Sequence, residues 1–310
     1  LPQMLRLGYD RKLSIGIICA AGALATLIPP SVVLIIYGLA AQVSITKLFA
    51  ASAVPGLILA SLYITYILIR VRMNPSLAPI YDIPETGLPF FRRLRYLKGV
   101  ILPGLLIAAV LGVIYSGVAT GTEAAALGAV GALVVAGVRR ELNWVMARDA
   151  MRQTVLTVGS IIWLVLGAVS LIGIYNRIGG GEFLRGLLTA LDVSPIWVIV
   201  VMMLIVMVLG TFLEWIAIIF ITVPIFAPVV IDLGFDPVWF GVLFAMNIQM
   251  YYLSPPFGPA CFFLKSVAPK DIELQEIFAA VLPFIGLQAI GLFLVLFIPE
   301  LALWLPSMLE

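Results

Sequence analysis

A succession of long apolar runs leaves this chain little choice of solvent. A helix needs about 20 apolar residues to cross about 30 Å of hydrocarbon. Runs of that order occupy residues 13–41, 48–71, 100–117, 123–138, 153–175, 195–230, 238–264 and 279–305. In lipid an unpaired backbone N–H or C=O is so costly that only helices and closed barrels span it. The expected fold class is an all-α polytopic membrane protein. Composition agrees: 63% of the residues are hydrophobic, 11% are charged and none is histidine, which places the chain outside the soluble classes.

Several functions are excluded on the same ground. A net charge of +2 with arginines in short clusters between apolar runs gives no face for nucleic acid. A membrane-embedded enzyme would need paired carboxylates, a histidine cluster or an activated nucleophile at membrane depth. Here only Glu123 and Glu214 qualify as intramembrane acids, so no catalytic residue is assigned. Cys19 and Cys261 both fall in apolar stretches, where neither a disulfide framework nor a metal site is expected, and no cofactor is implied. The opening residues, LPQMLRLGYD, have neither the basic start nor the small-residue cleavage site of a signal peptide. They read as the interior of a longer polypeptide.

The run at 195–230 is too long for one straight crossing and is interrupted at Gly210-Thr211. A re-entrant hairpin of two half-helices fits it, and the distribution of charge favours that reading. Cytoplasmic loops collect lysine and arginine. With the hairpin, all 18 basic residues fall on one side except Lys47, Arg177 and Arg185; with a single crossing, Lys265 and Lys270 would change sides. The hairpin reading puts the loop at 72–99 in the cytoplasm and the carboxyl terminus outside.

Self-similarity carries more information still. Residues 1–30, LPQMLRLGYDRKLSIGIICAAGALATLIPP, align without a gap on residues 227–256, APVVIDLGFDPVWFGVLFAMNIQMYYLSPP. Pro2 falls on Pro228, Leu7-Gly8 on Leu233-Gly234, Asp10 on Asp236, and Pro29-Pro30 on Pro255-Pro256. An odd number of crossings separates the copies, so they enter the membrane from opposite faces. Inverted repeats of this kind mark secondary transporters with alternating access. Since a hairpin precedes the second copy, symmetry predicts one before the first.

Each copy ends in two prolines, which have no N–H and cost a helix interior about 3 kcal/mol or more. The carbonyls four residues back, on Ala25 and Thr26 and on Tyr251 and Tyr252, lose their helical donors. Ile28 and Ser254 are pushed out of the α region by the proline that follows. The expectation is a broken helix at Pro29, Pro30 and at Pro255, Pro256, whose free carbonyls suit a small hard cation such as Na⁺. The alternative is a proline kink stabilised by neighbouring helices. At the hairpin tip, Gly210 and Thr211 break the apolar run and Glu214 follows. Glu214 can face water, carry a proton, or simply stabilise the amino end of the second half-helix. Asn247 and Gln249, on the helix expected to face the tip, can bind a carboxylate or hydrogen-bond another helix. Between two crossings, Thr120 or Thr122 with Glu123 forms a capping signal.

The strings LIPPS, SGVATGTEAAALGA, LGTFLEWIAIIFITVPIFAPVV, LGFDPVWFGVLF and LSPPFG resemble, in this order, those of the large membrane subunit of tripartite ATP-independent periplasmic transporters. The resemblance covers essentially the whole chain. It implies an elevator-type carrier of the ion-transporter superfamily, in which a scaffold surrounds a mobile core of two hairpins and two broken helices. It also implies import of a small carboxylate substrate across the bacterial inner membrane with Na⁺ as coupling ion. The implied partners are a small four-helix membrane subunit, a periplasmic solute-binding protein and the lipid bilayer.

Carried over by position, one sodium site takes Gly210, Thr211, Tyr251, Tyr252 and Ser254. The other takes Ala25, Thr26 and Ser31, where relatives carry glycine or threonine in place of Ala25. Asn247, Gln249 and Glu214 are the substrate-binding candidates. The implied division is 1–42, the end of a first repeat; 43–194, connecting and scaffold helices; 195–264, the second repeat, with its hairpin at 195–230 and broken helix at 238–264; and 265–310, an amphipathic segment and last crossing. The competing readings are another carboxylate symporter of the same superfamily and a scaffold subunit that does not transport.

Overall fold

A computed structural model describes residues 1–79, 90–180, 182–183, 186 and 194–308, with the backbone alone at 90–100 and 176. It divides into two compact units, Leu1–Pro79 with Leu164–Glu310, and Ile80–Trp163. The described residues form helices without strands. In chain order these are α1 (Pro2–Arg6), α2 (Arg11–Leu24), α3 (Val32–Ala41), α4 (Ile45–Met73), α5 (Phe90–Tyr115), α6 (Gly121–Val138), α7 (Trp144–Arg177), α8 (Pro195–Leu209), α9 (Trp215–Asp232), α10 (Pro237–Tyr251), α11 (Pro259–Val267), α12 (Leu274–Phe297) and α13 (Glu300–Ser307). Among the described residues five segments are long and apolar enough to cross a membrane, including Ile45–Met73, Trp144–Tyr175 and Leu274–Phe297. The all-α polytopic reading holds.

The repeat is reproduced bond for bond at its start. The chain leaves α1 through Leu7 and Gly8 (φ 76°), and leaves α9 through Leu233 and Gly234 (φ 82°). In one copy Gly8 N–H donates to the Leu5 carbonyl and Tyr9 N–H to Met4. In the other Gly234 N–H donates to Ile231 and Phe235 N–H to Val230. Only glycine enters this left-handed turn without a Cβ penalty. Asp10 then caps α2 by accepting from Leu13 N–H at 2.7 Å, and Asp236 caps α10 by accepting from Val238 N–H at 2.6 Å. Pro29-Pro30 and Pro255-Pro256 are both cis. Beyond the breaks the likeness continues, since α4 and α12 each carry a proline about three turns in, Pro55 and Pro283.

The copies are packed head to tail. At one end of the first unit, Arg11 bonds Asp271 and Glu276 at 2.6 and 2.8 Å, and Asp10 N–H donates to the Leu77 carbonyl at 2.9 Å. At the other end, Tyr37 donates to the Pro237 carbonyl and Trp239 to the Val295 carbonyl, both at 2.8 Å. The start of α2 and the start of α10 therefore lie at opposite ends, and α2 packs on α12 as α10 packs on α4. The pairing of Arg11 with Asp271 also keeps the start of α2 and the turn before α12 at one end, as the hairpin reading requires and a single crossing at 195–230 does not.

α10 is the axis of this unit. All of Val238–Tyr251 is buried, in keeping with its being apolar around its whole circumference. Its Phe240 and Phe244 pack with Tyr37 of α3, the three ring centroids lying 5.7 to 6.5 Å apart.

In the second unit α5 and α6 form an antiparallel pair in which Leu106 meets Gly131 and Val110 meets Gly128. The turn between them ends in a capping box: Glu123 N–H donates to Thr120 Oγ1 while the Glu123 carboxylate accepts from Thr120 N–H. Capping is thus what the Thr120–Glu123 signal does.

Two boundaries need correction. The run at 279–305 is not one helix: Pro299 has no N–H and drives Ile298 out of the α region (φ −127°, ψ 78°), so α12 stops and α13 begins. The loop expected at 72–99 is shorter, because α4 continues to Met73 and α5 begins at Phe90. Residues 80–89 of that loop, and Arg185, lie outside the described residues.

Candidate functional site

The hairpin reaches the break of its own repeat. α8 runs parallel to α10, with Asn247 Nδ2 donating to the Met203 carbonyl at 2.5 Å and Gly210, at the end of α8, seated on Tyr251, at the end of α10. A Cβ on Gly210 would lie 2.6 Å from Tyr251 Cγ and 2.8 Å from its Cβ, so only a residue without a side chain lets the tip come this close.

Four of the five residues predicted for the second sodium site are thus parts of two adjoining pieces, Gly210 and Thr211 on the tip and Tyr251 and Tyr252 on the helix end; Ser254 follows in the turn. Thr211 Oγ1 donates to Val208 O at 2.7 Å, and Ser254 Oγ donates to Met250 O at 2.8 Å, each hydroxyl keeping its lone pairs. Glu214 caps α9, accepting from Ile216 N–H at 3.1 Å.

The expectation of bare carbonyls at this break is corrected. Tyr251 O accepts from Ser254 N–H at 2.9 Å and Tyr252 O from Ala260 N–H at 3.1 Å. The chain folds back after the prolines, with Gly258 in a left-handed conformation (φ 32°), and returns its own donors to the helix end. Each carbonyl keeps one lone pair for a further partner.

The first break is more open. Ser31 Oγ donates to the Thr26 carbonyl, and Thr26 Oγ1 donates to Ala23 O at 2.9 Å. The exposed Ala25 has a carbonyl that accepts no hydrogen bond among the described residues, as expected four residues before a proline. Ser31 is buried and also accepts from Leu34 N–H at 3.4 Å, capping α3.

The substrate candidates divide. Asn247 is buried and spent on a bond between helices, and Gln249 is fully buried with both amide atoms unpartnered. Glu214 alone of the three is exposed at the tip. Sequence reasoning passed over Tyr63 and Gln288, which are buried and equally unpartnered. The lone amide of Gln288 in the apolar stretch of α12 was the available signal. Cys19 and Cys261, 242 positions apart, are both free, with Cys19 Sγ 3.9 Å from the Ala260 carbonyl.

Comparison with known proteins adds a family. Residues 1–301 match the family described as tripartite ATP-independent periplasmic transporter, DctM component. The C4-dicarboxylate TRAP transporter large permease protein DctM of Pseudomonas aeruginosa is 31% identical over 99% of this chain and 70% of its own length. The sialic acid TRAP transporter large permease protein SiaM of Vibrio cholerae is 30% identical over 97% and 69%. The isethionate TRAP transporter permease protein DctMQ of Oleidesulfovibrio alaskensis is 30% identical over 98% of this chain and 47% of its own.

Proposed function

This chain belongs to the DctM family of tripartite ATP-independent periplasmic transporters, a family of transporters and not of enzymes, and from that premise we propose that it is the permease of a sodium-coupled importer of small organic acids. It is a multi-pass integral membrane protein. In the proposed complex it sits in the bacterial inner membrane with its carboxyl terminus in the periplasm, beside a small four-helix membrane subunit. A periplasmic solute-binding protein delivers the substrate. The names of four relatives specify a C4-dicarboxylate, sialic acid, isethionate and ectoine; all but isethionate, a sulfonate, carry a carboxylate, and a carboxylate substrate fits most of that range.

The observation that carries the coupling is the seating of the hairpin tip on the end of α10. The residues that adjoin there, Gly210 and Thr211 on the tip and Tyr251, Tyr252 and Ser254 at the helix end, offer hydroxyl and carbonyl oxygens, and none of them is a lysine or arginine. Such a set suits Na⁺, a hard cation that takes oxygen ligands, and the carboxyl end of a half-helix adds negative potential. Ala25 and Thr26 offer carbonyls at the equivalent break of the first repeat, and Ser31 a hydroxyl. Because tip and helix end are separate pieces held by contact, a bound ion would draw them together, and closing the tip is the step that would license an elevator movement of the core.

The test is uptake of labelled carboxylates into proteoliposomes holding the complete complex, with and without an inward sodium gradient. Uptake should depend on the gradient and fall at least tenfold without it. Equal uptake in both conditions by an intact complex overturns the coupling, and no uptake of any organic acid returns the chain to a scaffold role.

A further inference from the structure

Polar groups are buried and unanswered at one level of the first unit. Leu59 of α4, Met246 of α10 and Gly291 of α12 form a closed layer, in which a Cβ on Gly291 would lie 2.4 Å from Leu59 Cδ2 and 3.4 Å from Met246 Cε. α10 and α12 are antiparallel, because Trp239 bonds Val295 while Met246 meets Gly291. One turn further along each helix, on the same faces, stand Tyr63, Gln249 and Gln288. The Tyr63 ring packs edge-on to Phe284, one turn from Gln288, at 5.4 Å. Its hydroxyl is near the Gln288 amide but makes no hydrogen bond of good geometry. Tyr63 is 5% exposed, Gln249 0% and Gln288 1%, and every polar side-chain atom of the three lacks a partner.

A buried polar group without a partner is destabilising because it gave up its bonds to water, and native interiors answer such groups with protein or with ordered water. Asn247, two residues from Gln249, has its backbone partner on α8; these three have none. Each amide presents two donors and an acceptor, and a phenol one of each, so whatever answers them must both donate and accept. A metal cation only accepts electron pairs, and would leave the amide N–H groups unmet. It would also sit uncompensated, since the three side chains are neutral, Glu276 is engaged by Arg11 and Glu214 caps α9.

We propose that Tyr63, Gln249 and Gln288 form an internal hydration site between α4, α10 and α12, a place for ordered water separate from the hairpin tip. Water meets the mixed donor and acceptor demand, and a site of about this polarity holds water with roughly three hydrogen bonds. The site joins helices of both repeats through a common hydrogen-bonded core.

The test is a thermal-unfolding cycle on the purified full chain with Q249M, Q288M and the double variant, methionine keeping the volume while removing the amide. Each single change strands the other amide and should lower Tm by a few degrees. The double variant should lose less than the sum of the two, because no amide is then left to answer. Additive losses, or single variants as stable as the parent, overturn the proposal. So does a sodium- or potassium-dependent rise in Tm that the variants lose, which would make this a cation site. Should Q249M not fold, Y63F with Q288M completes the same cycle. An experimental map then decides directly: water density among the three side chains supports the site, and a dry contact between the amides overturns it.

Discussion

Gly210 is where the function proposed for this chain rests on one absent side chain. Gly210 has right-handed helical geometry (φ −61°, ψ −18°), where alanine is ordinarily better than glycine, yet here its Cβ would enter the Cβ and ring base of Tyr251, atoms that cannot swing aside as the far end of a flexible chain would. G210A should therefore cost about 1–3 kcal/mol as an overpacked contact, measured by thermal unfolding. It should also weaken the apparent sodium affinity of uptake, because the tip is held off the helix end. Y251A removes the ring but keeps the Cβ 2.8 Å away, so G210A should cost less in that background while still costing something. A stability loss with sodium affinity unchanged would separate packing from ion binding and remove the tip from the site. Of the residues picked from sequence, Gly210, Thr211 and Tyr251 were legible because the break itself is written in glycine and proline. The direction of Asn247 and Gln249 was not. α10 is apolar on every side, so no stripe told which face of it turned to the hairpin.

Between elements, the turn from α11 to α12 is tied to the start of α2 by Arg11, which reaches both the Asp271 carboxylate and its carbonyl at 2.6 Å. The hydrogen bond from Arg11 holds the Asp271 carboxyl below its ordinary value of 3.8, with the neighbouring positive charges of Arg11 and Lys265 adding to the effect. In the unfolded chain Asp271 takes up its proton at higher pH than in the folded one. The ion pair's contribution is therefore present in full above the ordinary carboxylate range and is lost as pH falls through the depressed folded value. Thermal stability should fall more steeply below about pH 4 in the parent than in D271N, and the two curves should run parallel above about pH 5. Curves of equal slope throughout would mean that the pair is idle. This tie joins residues 260 positions apart and was invisible in the sequence, since many basic residues were available to any acid. The caps at Asp10 and Asp236 were legible, because a cap is a local event and its residue stands next to the helix that it starts. Pro299 was equally local, and the break that it makes inside 279–305 could have been read by the rule applied to Pro29 and Pro255.

At the scale of the whole molecule, two copies of one unit lie head to tail, and the order of crossings assigns their starts to opposite faces of the membrane. Arg6 and Asp232 are equivalent positions at the ends of α1 and α9, and both are exposed. The repeat alone says only that they differ in side; the excess of lysine and arginine at the Arg11 end says which is which. Cysteines placed singly at Arg6 and Asp232, in a chain whose buried Cys19 and Cys261 are replaced by alanine, make the assignment measurable. A membrane-impermeant maleimide added to intact spheroplasts should label position 232 and leave position 6 unlabelled until the membrane is opened. A third cysteine at the exposed Ser307 should behave like position 232, because α12 returns the chain to that face. Labelling of 6 and 232 from the same side would contradict the inverted repeat and with it the alternating-access reading. Labelling of 6 alone would keep the repeat but turn the molecule over, placing the hairpin entrance at Ser194 and Asp232 in the cytoplasm, where a periplasmic binding protein could not deliver to it.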